Sequence, residues 1–159
     1  MLPLLVLLGL VAAPPAADLA PTGTLRASFI ASNPVQGRVD AKTGAVTGPV
    51  ADLTRELARR LGVPYVIIPL PDAGAVLASV KAHTADIGFL AYDPVRAVDV
   101  DFAQTYALAQ NTYLVPEDSP LRSVADMDKP GLRLGVGERD AGDYFLTRTL
   151  KHATLIRNP

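Results

Sequence analysis

The chain has 159 residues, with 15 Lys and Arg against 16 Asp and Glu and a formal net charge of -1. That balance gives no electrostatic basis for gripping nucleic acid or an anionic membrane surface. With no cysteine and only two histidines, these residues hold no disulfide, no thiolate nucleophile, no cysteine-containing zinc site and no histidine-rich metal cluster.

Met1–Ala17 carry no charged side chain, and the first basic residue is Arg26. The apolar run Leu4–Ala13 is short for a membrane span, and Pro14-Pro15 breaks a helix directly after it. Residues 1–20 are therefore expected to be a secretory signal peptide. The other readings of this segment are a membrane-retained amphiphile and a buried first strand.

After the Pro21-Thr22-Gly23 loop, branched and aromatic residues predict a strand over Thr24–Ile30. Ser32–Gly48 is a long polar loop punctuated by Asn33-Pro34, Gly37 and Gly44, and loops of this length in compact domains are usually functional. Ala51–Leu61 alternates at helical spacing, with Leu53, Leu57, Ala58 and Leu61 on one face and Gly62 as the stop. Val63–Leu70 is a nearly continuous apolar run, the pattern of a strand covered on both faces in a parallel sheet. A second helix is expected over Ala73–Ala82 and a third strand over Ile87–Leu90, which makes the order α/β. Thr112–Pro116 reads as an extended connector. A strand at Leu132–Val136, a helix at Asp140–Lys151 and a strand at Thr154–Ile156 then begin a second βαβ unit that is not finished.

Ala85–Tyr106 is the most informative stretch. Asp93 reads as a helix N-cap and Pro94 as the first helical position, which places Arg96 in the first turn. A helix N-terminus is already partly positive, so a guanidinium there calls for an anion, either a side chain or a ligand. Two alternatives stand for Arg96: contact with an anionic ligand, or a surface pair with Asp93 or Asp99.

The order of motifs resembles the extracellular solute-binding proteins of family 3, the amino-acid-type receptors of ABC importers. The likeness runs from Leu25 to Leu150. It comprises Gly48, Asp52 and Leu53, the Ala58–Val63 segment (ARRLGV), Asp86-Ile87, the turn holding Pro94, Arg96 and Ala97, then Val100–Phe102 with Tyr106. Asp118–Asp126 (DSPLRSVAD) and the glycine-flanked strand Leu132–Gly137 continue it. The resemblance implies a periplasmic binding protein type II-like α/β fold: two lobes with parallel sheets flanked by helices, the second lobe incomplete in this chain. It divides the chain into lobe one at 21–111, a hinge at 112–117 and part of lobe two at 118–159.

It also implies a role for Arg96, which would hold the carboxylate of a bound amino acid. Ala91, Tyr92 and Asp93 on the same turn, Asn33 in the long loop, and Arg139 and Asp140 at the start of the last helix complete the expected ligand-binding set. Three departures point to an atypical ligand. Val35 and Pro49 stand where the family places aromatic rings, Gly137-Glu138-Arg139-Asp140 replaces its small hydroxyl pair, and Asp93 replaces its usual hydroxyl residue. An acidic residue near an incoming carboxylate repels it unless Arg139 offsets the charge or the ligand carries an amine. Asn33, Gln36 and Arg38 stand equally well as solvated loop residues, and Tyr106 is expected to pack.

Other patterns carry less. Leu134-Gly135-Val136-Gly137 lacks the third glycine and the spacing of a dinucleotide site. Asp99 and Asp101 are expected to face solvent on either side of Val100, and His83 and His152 to be surface residues. The resemblance thus implies a periplasmic or extracellular binding protein with no catalytic residues, metal or cofactor. Its partners would be a small-molecule ligand, an amino acid or organic acid, and an ABC permease in the membrane. The alternatives are an enzyme on the same scaffold, of dehydratase or lytic transglycosylase type with Glu138 or Asp140 as acid/base, and a non-binding fragment or sensor domain.

Overall fold

A computed structural model of the protein describes residues 18–158. The expected signal peptide lies outside these residues apart from Asp18–Ala20, of which Ala20 is buried against Leu25 and Ala58.

The first unit is built around β1 (Leu25–Ile30), the middle strand of a three-stranded parallel sheet. Within the long loop, β2 (Arg38–Val39) and β3 (Val46–Thr47) form a small antiparallel ribbon. Its turn is closed by Asp40, whose Oδ1 accepts from the Lys42 and Thr43 N–H groups at 2.9 and 2.8 Å. The loop therefore holds a short hairpin where sequence predicted none, because one aspartate supplies the turn chemistry.

Helix α1 (Pro49–Leu61) starts two residues earlier than its periodicity predicts, with Pro49 in the first turn, and ends at Gly62 in the left-handed region, φ 69°. Leu57, Ala58 and Leu61 of the predicted face pack on the core. Val50, Ala51, Thr54 and Ala58 are buried, whereas Leu53 is 40% exposed. Strand β4 (Tyr65–Leu70) pairs with β1 along its length, from Leu25 opposite Tyr65 to Ile30 opposite Leu70. It is an outer strand of the sheet, so Tyr65 and Val66 remain 40% and 44% exposed rather than covered on both faces.

Asp72 caps helix α2 (Ala73–Lys81), accepting from the Ala75 N–H at 2.8 Å. Strand β5 (Ile87–Gly88) pairs with the other side of β1 through Ala27 and Ser28. Side chains of β1 alternate between the two helices. Phe29 packs on Val50 and Leu25 on Ala58 of α1, while Ser28 accepts a 2.9 Å hydrogen bond from Ser79 of α2. This is a sheet with a helix on each face, and the carboxyl ends of its strands present the loops at Ala31–Gln36, Pro71–Asp72 and Phe89–Arg96 along one edge.

After β5 the expected helix is one 3₁₀ turn, Arg96–Val98. Val95 and Val98 are exposed and β-branched, so a longer helix there would have no apolar face to bury and no tertiary support. The argument from a helix N-terminus at Arg96 therefore does not hold. Asp101–Pro116 has no helix or strand, with Leu108 and Leu114 exposed. The second unit pairs β6 (Arg133–Gly137) with β7 (Thr154–Asn158) in parallel through helix α3 (Ala141–Thr149).

Candidate functional site

Arg96 is 2% exposed, and its guanidinium joins the two units. Nη1 donates to the Ala91 carbonyl at 2.8 Å and Nη2 to the Arg139 carbonyl at 2.7 Å. The guanidinium carbon lies 5.4 Å from the centre of the Tyr144 ring, within cation–π range. It pairs with neither Asp93 nor Asp99. Asp99 binds Lys81 at 2.8 Å, and Asp93 binds Arg148 of α3, Nη2 to Oδ2, at 2.9 Å.

Asp93 shapes the turn as well as crossing the junction. Its Oδ1 accepts from the Val95 N–H at 2.9 Å, and its carbonyl accepts from the Arg96 and Ala97 N–H groups. Burial pushes its carboxyl up, but the Arg148 and Val95 hydrogen bonds and the Arg96 charge outweigh that and hold it below its ordinary value.

The remaining expected residues divide between two places. Ala91 belongs to the Arg96 cluster through its carbonyl. Tyr92 is 64% exposed and packs edge-on against Phe102, at 5.3 Å between ring centres. Tyr106 packs in the same way on Phe89, at 5.6 Å. Arg139 adopts a left-handed backbone, φ 62°, held by Asp143 Oδ2, which accepts its N–H at 3.0 Å; this turns the Arg139 carbonyl towards Arg96.

Asn33 and Asp140 line a different space. A cleft of about 380 Å³ opens between the first unit's Ile30, Ser32, Asn33, Pro34, Pro71 and Asp72 and the second unit's Gly137, Glu138 and Asp140. Its charged lining consists of three carboxylates, Asp72, Glu138 and Asp140, with no cation among the lining residues. Three carboxylates on one lining favour a cationic group over a free anion. A smaller space of about 280 Å³ lies beside Arg96, bordered by Lys81, Asp99, Arg139 and Tyr144.

Several residues that build the site were not singled out from sequence. Asp72 carries a local signal, an N-cap type directly before an apolar helical run. Arg148, Tyr144 and Asp143 carry none, because they act on Asp93, Arg96 and Arg139 through the way α3 is folded onto the turn. Gln36 was considered for solvent or ligand contact but is spent internally: its Oε1 accepts from the Ile30 N–H at 3.0 Å and its Nε2 donates to the Phe89 carbonyl at 3.1 Å. It fastens the cleft loop to the ends of β1 and β5.

The ancestral amino acid-binding protein AncCDT-1, a precursor of cyclohexadienyl dehydratase, superposes with a TM-score of 0.77 at 25% identity, covering 92% of this chain and 66% of its own. A second structure of AncCDT-1, described as an ancestral cationic amino acid solute binding protein, gives 0.58 at 26% identity, covering 87% of this chain and 61% of its own. A putative binding component of an ABC transporter from Wolinella succinogenes, complexed with lysine, gives 0.66 at 23% identity over 86% of this chain and 59% of that one, a likeness of fold alone. This chain thus spans less than two thirds of each of them. No curated protein matches it. The fold is that of the α/β periplasmic binding proteins of type II, with parallel sheets flanked by helices. Residues 26–153 match the bacterial extracellular solute-binding proteins, family 3, and the chain belongs to that family.

Proposed function

We propose that this protein captures a small solute carrying both a carboxylate and a cationic group, a basic amino acid or a close relative, and presents it to an ABC permease from outside the cytoplasm. The observation that carries this reading is the acidic cleft between the two units, of about 380 Å³ and lined by Asp72, Glu138 and Asp140. Its size suits an amino acid, and its charge suits an amine or guanidinium. AncCDT-1, an ancestral cationic amino acid solute binding protein, supports the same class.

In this reading the first unit is lobe one, 21–111, the second is the described part of lobe two, 118–158, and 112–117 is the hinge. Export by the leader at 1–20 would put the protein where such a solute is met. Arg96 is the carboxylate partner, aided by the turn Ala91–Asp93. Asn33 and Asp140 line the acidic cleft, Arg139 stands beside Arg96 at the smaller space, and contacts from both lobes favour closure when solute bridges them.

Calorimetric titration with L-arginine, L-lysine, L-glutamine and L-glutamate tests it. Binding of the two basic amino acids, with its loss in Arg96→Ala, is expected. Unchanged affinity in Arg96→Ala removes the role given to Arg96, and a preference for L-glutamate removes the acidic cleft from the reading. Acid–base catalysis on this scaffold is the weaker alternative: Glu138 and Asp140 are both exposed, and neither carboxylate accepts a hydrogen bond from any described residue.

A further inference from the structure

The carboxylate-binding arginine of the proposed function is already occupied by the protein itself. A guanidinium recognises a carboxylate with two parallel donors. Here Nη1 and Nη2 of Arg96 are spent on two carbonyl oxygens, Ala91 from its own turn and Arg139 from the second unit. The Arg139 carbonyl reaches Arg96 because the residue takes a left-handed backbone that only a few non-glycine residues adopt, and the buried Asp143 carboxylate holds its N–H in that position.

A second fastening lies at the other end of the same helix. Arg148, in the last turn of α3, reaches the buried Asp93 carboxylate at 2.9 Å. A nine-residue helix is about 13 Å long, so α3 is pinned to the Asp93–Arg96 turn at two well-separated points. Both fastenings join segments more than forty residues apart in sequence.

We infer that Arg139 and Arg148 form a self-latch that holds the two units together when the cleft is empty, with the Arg139 carbonyl standing in at Arg96 for the carboxylate of the solute. The inference rests on the assignment of Arg96 as the carboxylate partner for its second half, competition with solute, and on geometry alone for its first. A charged carboxylate makes stronger bonds to the guanidinium than a neutral carbonyl, so solute displaces the latch. The fraction of molecules that are latched lowers the apparent affinity by the same fraction.

The absence of cysteine makes the test direct, because Lys42→Cys and Lys151→Cys introduce a unique pair of spin-label sites, one exposed on each unit. Pulsed electron resonance on the solute-free protein is expected to give one short distance population. Arg148→Ala is expected to add a longer one, and Arg148→Lys to restore most of the short one. Arg148 is half-exposed, so its removal leaves the core intact; Asp93→Asn, which keeps an acceptor for the Val95 N–H, is the second variant and is expected to open the same population. Identical distributions in the native protein and both variants, or a native distribution already open, overturn the latch.

Titration with L-arginine reads the competition. Arg148→Ala is expected to bind about three- to tenfold more tightly than the native protein, and equal or weaker binding overturns that part. If neither protein binds L-arginine, the proposed function falls, while the distance distributions still decide the latch.

Discussion

Arg26 and Asp86 form a two-pronged ion pair that ties β1 to the entry of β5. Arg26 Nη2 donates to Oδ1 at 2.6 Å and Nε to Oδ2 at 3.1 Å, and the Arg26 backbone N–H donates to the same Oδ2 at 2.8 Å. The Asp86 side chain is 4% exposed, so three donors converge on a carboxylate that water barely reaches. Asp86→Ala leaves the Arg26 N–H and guanidinium with no partner at a half-covered site. A loss of about 2–3 kcal/mol in chemical denaturation is expected. A loss of a few tenths would mean that the pair is no more than a surface contact.

The same residues show where sequence reasoning reaches and where it stops. Helices α1 and α2 and strands β6 and β7 lie within a few residues of where the sequence predicts them because their signals are local: a 3.6-residue period with Gly62 as a stop in the helices, and short apolar runs in the strands. Asp86-Ile87 was noticed as a motif, but its partner Arg26 is sixty residues away in sequence, and only the parallel register of β1 and β5 brings them together. Arg148 was invisible for the same reason. Arg96 reads from sequence as a guanidinium at a helix start that calls for an anion; in the structure the turn is 3₁₀, and the two acceptors are neutral carbonyls brought there by the fold. Leu57 and Leu61 pack on the core as their spacing predicts, whereas Leu53 lies at the edge of that face and the first turn buries Val50 and Thr54 instead.

Gly88 sets how closely α2 lies on the sheet. A Cβ there would meet Val80 Cγ2 at 2.9 Å and Val76 Cγ1 at 3.0 Å, both from that helix. Neither valine has room to retreat without moving α2 off β5. Gly88→Ala is therefore expected to lower the thermal midpoint and cost about 1–3 kcal/mol of stability. A variant as stable as the parent would show that the helix adjusts freely.

Acid is expected to loosen the junction. In Asp93 burial raises the carboxyl, and Arg148, the Val95 N–H and Arg96 lower it by more; in Asp143 burial raises it, and the Arg139 N–H, Thr147 and Arg157 lower it by more. Both folded-state values lie below the unfolded value, so each carboxylate contributes stability that is fully present above about pH 4 and is lost as pH falls through the folded value. Acid titration followed by amide hydrogen exchange is expected to show α3 and the Arg139 loop losing protection as the pH falls below about 4. Asp93→Asn is expected to flatten that dependence at α3. Protection of α3 that does not change with pH, or that falls equally in Asp93→Asn, would contradict the assignment.

The charge of the cleft is open to the most direct test, because Glu138 lies at its edge with its carboxylate free of hydrogen bonds to any described residue. Glu138→Gln keeps shape and backbone while removing one of the three carboxylates. If a cationic group is drawn into the cleft by that charge, affinity for L-arginine falls about two- to fivefold, an effect of the size expected for one partly solvated charge. Affinity for L-glutamine, which has a neutral side chain, changes less, so the ratio of the two affinities falls. The gap between native protein and variant also narrows as salt is added, because screening acts on exposed charges first. An unchanged ratio at low salt would place the basic group of the solute elsewhere and leave Asp72 and Asp140 as structural carboxylates: Asp72 as the cap of α2, and Asp140 as the residue whose carboxylate leaves no space for a side chain at Gly137.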